Sequence, residues 1–422
     1  MTMARNNNVI IKSSHYGHKP WWFRLLNKAW RTSYPLGTKS GLDKDSLIRA
    51  ARKATGLQNL GRDFRDEPLD RLLYSIKEEA KLHPIGYFIS RERMINLLSI
   101  RLRAEELFRR HPEILEQKLY PVWMILGLQR TGTTKLHRLL SADEKNRVLL
   151  SWEAINPVPL KDHTAGTDKR IAIARTSERA LRLMAPGFFA IHPVEHNAPE
   201  EDILLLDATF MSTTPEATMH VPSYAEWLEK TDQSDAYAYM VKLLKLLQWQ
   251  RPGRRWILKS PHHLEFPDLV NKHFGEVRFL WTHREVTECI PSFISMVAHS
   301  RVIFSNEVDG HDVATHWIRK TGYMLQKGLE YRLKNPERNQ FTDIFYEDLK
   351  DQSSKVLKDI YHNNGGITPE LLARFSRTEQ ENPMGKYGIH DYKLEDFRVT
   401  REDILEHTKM YREFIEKLKI LG

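Results

Sequence analysis

Apolar residues recur at intervals of three and four through Leu47–Ala54, Leu69–Ala80 and Met94–Phe108, with Arg and Lys filling the other faces. That period is the turn of an α-helix, so residues 1–115 are predicted to form a helical N-terminal extension. Asp43 or Asp45 is placed to cap the first of these helices, and Pro84 with Gly86 separates the second from the third. From Val122 the pattern changes. Short apolar runs at Val122–Leu126, Trp256–Leu258, Val277–Trp281 and Phe341–Phe345 are bounded by turns, and helical stretches follow at Thr134–Leu140, Val286–His299 and Ser353–His362. Strands alternating with helices build a parallel sheet, so residues 116–422 are expected to be an α/β domain.

Charge narrows the partners. Lys and Arg number 64 against 55 Asp and Glu, a net charge of +9. The excess is interspersed, with no Arg-rich arm and no zinc-finger spacing, which argues against nucleic acid and leaves a polyanionic small molecule or an anionic surface. The single cysteine, Cys289, excludes an internal disulfide framework and any multi-cysteine metal site. With no apolar run near the ~18 residues a membrane span needs and no apolar leader, a cytoplasmic location is expected. Trp21, Trp22, Phe23, Leu25, Leu26 and Trp30 stand among Lys19, Arg24, Lys28 and Arg31. This basic amphipathic stretch suits either peripheral membrane contact or packing against its own protein, the commoner use of such aromatics.

The strongest chemical signal is Gly127-Leu128-Gln129-Arg130-Thr131-Gly132-Thr133-Thr134, set between an apolar run and a helical one. Glycines let the backbone turn tightly, so its N–H groups and the positive end of the following helix can meet phosphate oxygens. The spacing matches the ATP-type phosphate loop, but Thr133 replaces its lysine and Lys135 comes two places late. That substitution argues against nucleoside triphosphate hydrolysis. A second strand ends in Thr282-His283-Arg284, and Ser292 lies eight residues beyond that arginine.

These segments resemble the donor sites of the bacterial-type sulfotransferases that use 3′-phosphoadenosine 5′-phosphosulfate (PAPS), whose loop is usually written P-R-T-G-T-T. Gln129 stands where that family has proline, and Glu285-Val286 where it commonly has Asp-Pro. Leu258-Lys259-Ser260-Pro261-His262-His263-Leu264 is similar to the family's L-K-S-P-x-H-L, and residues 382–397 resemble its cofactor-covering segment, with Asp391 in place of a frequent arginine. The resemblance implies a P-loop-like three-layer fold, a central parallel sheet flanked by helices. It assigns the 5′-phosphosulfate to Arg130, Thr131, Gly132, Thr133 and Thr134, and the 3′-phosphate to Arg284 and Ser292, with Lys386 and His390 covering the site. PAPS would be the sulfuryl donor, 3′-phosphoadenosine 5′-phosphate (PAP) the product, and no metal would be needed.

Sulfuryl transfer then needs cations on the transferred group, here Arg130 and Lys259, and a base for the acceptor hydroxyl. Glu153 in Ser151-Trp152-Glu153 is the first choice, at a position similar to the catalytic glutamate of tyrosylprotein sulfotransferases. Burial beside Trp152 is expected to raise its pKa. His192, ahead of Pro199-Glu200-Glu201, is the second; His196, His262 and His263 read as structural. Aromatics between Met184 and Trp227, among them Phe188, Phe189, Phe210 and Tyr224, suit an apolar pocket for a small hydrophobic or lipid-like acceptor, or ordinary core packing. A phosphate-loop kinase and an inactive peripheral membrane protein of the same fold are the rival readings.

Overall fold

The computed structural model describes residues 9–33, 39–160, 168–336, 340–362, 364–383 and 385–421. Its centre is a five-stranded parallel sheet of β2 (Val122–Leu126), β3 (Asn146–Val148), β4 (Arg255–Lys259), β5 (Val277–His283) and β6 (Phe341–Phe345), in the order β3-β4-β2-β5-β6. Every residue of β2 is buried, as expected of a strand covered on both faces. Val122, Met124 and Leu126 point into one apolar cluster, and Trp123 and Ile125 into the other. That alternation makes three layers: helices, sheet, helices.

The predicted helices of the N-terminal part are α2 (Lys44–Thr55), α3 (Asp66–Glu78) and α4 (Pro84–Arg110), after α1 (Trp21–Ser33). Leu47, Ala51, Leu69, Leu72, Met94 and Leu98 enter the same buried cluster as Val122 and Met124, so these helices pad one face of the sheet. Asp43 caps α2 by accepting from the Ser46 amide at 3.0 Å. Pro84 was expected to lie between two helices; instead it is the first residue of α4, where its missing N–H costs nothing. His83 Nδ1 caps that helix, accepting from the Gly86 amide at 2.9 Å.

Two features depart from the expected pattern. β3 is an edge strand of only three residues. The helical lead-in also opens on a strand, β1 (Ile10–Lys12), which pairs in parallel with β7 (Ile389–Asp391), setting Ile11 opposite His390 and Lys12 opposite Asp391. The Ser13 hydroxyl then donates to Asp396 and accepts from the Lys393 amide at 3.0 Å. Residues 10–13 and 389–396 thus form one strap. Among the described residues no helix is long and apolar enough to cross a membrane.

Candidate active site

The loop after β2 leads into α6 (Thr133–Ser141), a helix reached past the short α5 (Glu113–Glu116). Gly127 and Gly132 have φ of +132° and +91°, backbone that favours glycine, and a Cβ at Gly127 would lie 2.2 Å from Thr282 Oγ1. Arg130 is itself held at φ +70°, strain worth roughly 1–3 kcal/mol that the surrounding contacts must sustain. Gly132 is the N-cap of α6, no side chain caps that end, and its first turn carries no acid. The amides there are free to meet an anion, with the helix dipole behind them.

Adjacency of β2 and β5 places Arg284 across from this loop, and its Nη1 donates to the Arg130 carbonyl at 3.0 Å. The Arg130 side chain in turn donates to Ser292 Oγ at 3.2 Å and to the Ile191 carbonyl at 3.3 Å. His390, carried by β7, closes the group: its Nδ1 is 3.3 Å from Ser292 Oγ and its Nε2 is 2.8 Å from Ser295 Oγ. The four expected residues Arg130, Arg284, Ser292 and His390 therefore form one connected set. Burial pushes the Arg130 guanidinium below the ordinary arginine value, and among the described residues its hydrogen-bond partners are neutral oxygens. A desolvated cation without a carboxylate is costly unless an anion arrives. Arg284 is engaged differently, donating through Nε and Nη2 to Glu288 at 3.1 and 2.8 Å, with Tyr346 stacked at 4.3 Å.

At the end of β4, Lys259 is buried and pairs with Glu201 at 2.6 Å. His192 faces the same charges: burial drives its pKa down to about 4, Glu201 opposes the shift, and Lys259, Arg130 and Arg138 add to it. Among the described residues none hydrogen-bonds its ring, so at neutral pH it presents a neutral, unengaged imidazole, a weak base whose proton affinity rises when an anion binds beside it. Arg138, one turn beyond Thr134 on α6, and Tyr387 both bond Glu195, with Lys386 3.8 Å from the same carboxylate. Burial holds the neighbouring Glu200 carboxyl above its usual pKa.

The expected rise in the Glu153 pKa is not found. Burial alone would raise its pKa, but Arg147 and Arg251 outweigh it and the pKa falls. Arg147 donates to both carboxylate oxygens at 2.9 and 2.7 Å, Arg251 at 3.2 and 2.9 Å, and the Leu150 amide at 3.0 Å. The carboxylate is buried and fully bonded, a poor arrangement for a group that must take up a proton. The Thr131 side chain also turns inward, 2.6 Å from both Leu128 O and Thr282 Oγ1, leaving its amide for an anion. Thr133 is buried and Thr134 exposed at the first turn of α6. Phe210 and Tyr224 belong to the core, Tyr224 donating to the Phe210 carbonyl at 2.8 Å, whereas Phe188 lies 5.9 Å from the His192 ring. Met384 lies outside the described residues.

Sequence reasoning missed Glu288, Glu195, Arg138 and Tyr387 and gave no role to Glu201. Arg138 had a readable signal, four residues beyond Thr134 on one helix face. The others come from distant segments. In sum, Arg130, Arg284, Lys259, Arg138 and Lys386 gather beside an uncapped helix start, against Glu201, Glu195 and Glu288. This donor set fits a small polyanion. Among the described residues no group of three His, Cys, Asp or Glu side chains is placed to hold a metal.

A family model described as the sulfotransferase family matches residues 121–366. A solved sulfotransferase of Mycobacterium tuberculosis is similar over 87% of this chain and 98% of its own, at 27% identity and a TM-score of 0.75. A sulfotransferase of Mycobacterium avium shares the fold over 88% and 96% of the two chains, at 24% identity and a TM-score of 0.78. No curated protein matches the sequence significantly.

Proposed function

The chain belongs to the sulfotransferase family, and on that premise we propose that it moves the sulfuryl group of PAPS onto a hydroxyl of a hydrophobic or lipid-like acceptor. The observation that carries the reading is Arg130: desolvated, bonded to neutral oxygens, and tied through its own carbonyl to Arg284. Two anion-binding groups side by side suit a donor that carries a 3′-phosphate and a 5′-phosphosulfate on one ribose. The loop amides and Arg130 hold the 5′-phosphosulfate, while Arg284 and Ser292 hold the 3′-phosphate. Arg284 then shares its fork with Glu288 or releases it.

In the transfer, the acceptor oxygen forms a bond to sulfur as the bond from sulfur to the 5′-phosphate oxygen breaks, and PAP leaves. Lys259 and Arg130 balance the charge that grows on the sulfuryl and leaving oxygens. His192 is the proposed base, taking the acceptor proton on its neutral imidazole; Glu153 serves as the anchor of Arg147 and Arg251. Phe188 beside His192 supports an apolar acceptor.

Calorimetry with PAP and with ATP tests the donor: PAP should bind and ATP should not. Transfer from radiolabelled PAPS to a panel of phenols, alcohols and lipids tests the acceptor. Tight ATP binding with magnesium-dependent phosphoryl transfer would replace this reading with a kinase, and PAP binding without transfer to any acceptor would favour an inactive relative.

A further inference from the structure

The first helix is anchored through one side and apolar on the other. Phe23 and Asn27 face inward: Phe23 packs edge-on to His83 at 5.6 Å, and Asn27 Oδ1 accepts from the Ile85 amide at 3.1 Å. Trp30, one turn further, packs on Phe88 at 5.4 Å. This stripe holds α1 against the start of α4. Lys19 ties its entry to the body, donating to Ser305 O at 2.9 Å and Asn306 Oδ1 at 2.7 Å.

An anchored surface helix ordinarily turns polar residues outward. Here helical geometry sets Trp21 and Leu25 opposite the Phe23–Asn27 side, and they are 68% and 57% exposed, with Leu26 further round the helix at 47%. Exposed Arg24 and Lys28 run along one border of this apolar strip. From Lys19 to Ser33 the sequence has Lys19, Arg24, Lys28 and Arg31 and no acidic residue.

We propose that α1 is a docking surface for an anionic lipid bilayer, lying in the interface with Trp21 and Leu25 among the acyl chains and Arg24 and Lys28 at the headgroups. An exposed tryptophan, leucines and flanking cations without acids are what an interfacial helix requires. A second copy of the chain is the poorer occupant, because a two-fold contact through this strip would bring Arg24 and Lys28 of each copy together with no acid on the helix to offset them. The membrane claim stands apart from the donor chemistry, since it concerns the opposite side of α1 from its contacts with the body.

The test is co-sedimentation of the full chain with phosphatidylglycerol-containing vesicles and with pure phosphatidylcholine vesicles, at low and high salt. Binding is expected to the anionic vesicles, weaker in high salt. The double variant W21S/L25S should bind about ten-fold more weakly or worse, as should R24E/K28E. Far-UV circular dichroism and calorimetric PAP binding report separately on the fold and the donor site. No sedimentation of the wild type with either vesicle overturns the proposal, as does undiminished binding by folded R24E/K28E or W21S/L25S. Equal binding to both vesicle types removes the role of the cations. A wild-type dimer in light scattering that W21S/L25S converts to monomer assigns the strip to a second copy instead.

Discussion

Two charged clusters lie near the same sheet edge, and they are built in opposite ways. Around Glu153 the charges are sealed: two arginines and a backbone amide bond one buried carboxylate, and its pKa falls. Around His192 they are left open, with an unbonded neutral ring beside one lysine–glutamate pair and an arginine bonded to neutral oxygens. Desolvation acts on both, Glu153 being fully buried and His192 and Arg130 half-buried, so desolvation alone does not mark chemistry. What separates them is whether each charge already has its partner; a satisfied cluster holds structure, and an unsatisfied one can respond to a ligand.

Substitutions can break or sharpen this contrast. The largest effect is expected for His192→Ala, which should lower kcat by about 100- to 10,000-fold with PAP affinity retained, read by steady-state kinetics and calorimetry. Arg130→Ala should cost roughly 100- to 1000-fold in turnover and also weaken PAP binding, since it removes a donor aimed at the reacting group. Glu153→Gln should leave turnover per folded molecule near normal while destabilising the protein by about 3–5 kcal/mol in urea unfolding, because Arg147 is left buried without its carboxylate. Loss of turnover at unchanged stability in that variant would erase the distinction between the clusters.

A smaller effect follows from acid. Burial holds His83 at about 4 and His137 at about 3, below the ~6.5 of an exposed imidazole. Between those values the unfolded chain binds protons that the folded one refuses, so stability is complete above pH ~6.5 and declines as pH falls. By pH 5 each should contribute on the order of 1–2 kcal/mol of loss, visible as a lowered Tm. The smallest effect is Ser292→Ala, expected to weaken PAP binding by only about five- to ten-fold, the net worth of one ordinary hydrogen bond.

Much of the sheet was legible because its strands are continuous apolar runs. β2 and β6 match their predicted bounds, whereas β4 and β5 extend into Lys259 and His283, polar residues that close a run without ending the strand. β3 escaped notice because Asn146-Arg147-Val148 has no apolar pattern; Arg147 is buried through Glu153 and the face of Trp256, 4.5 Å away. The glycine-bearing loop after β2 and the position of Arg284 were readable from local spacing. The fate of Glu153 was not, because Arg251 lies 98 residues away and only the fold brings it in.

The pairing of β1 with β7 carries a practical consequence. A ribosome releases Ile10 hundreds of residues before Ile389, so this part of the charged pocket cannot form until the later strand has emerged. Trimming a dozen residues from the front would loosen His390, although they sit far from any recognisable motif. A fragment cut to residues 121–366 would keep Arg130, Arg284 and Ser292 yet lose both halves of the clasp.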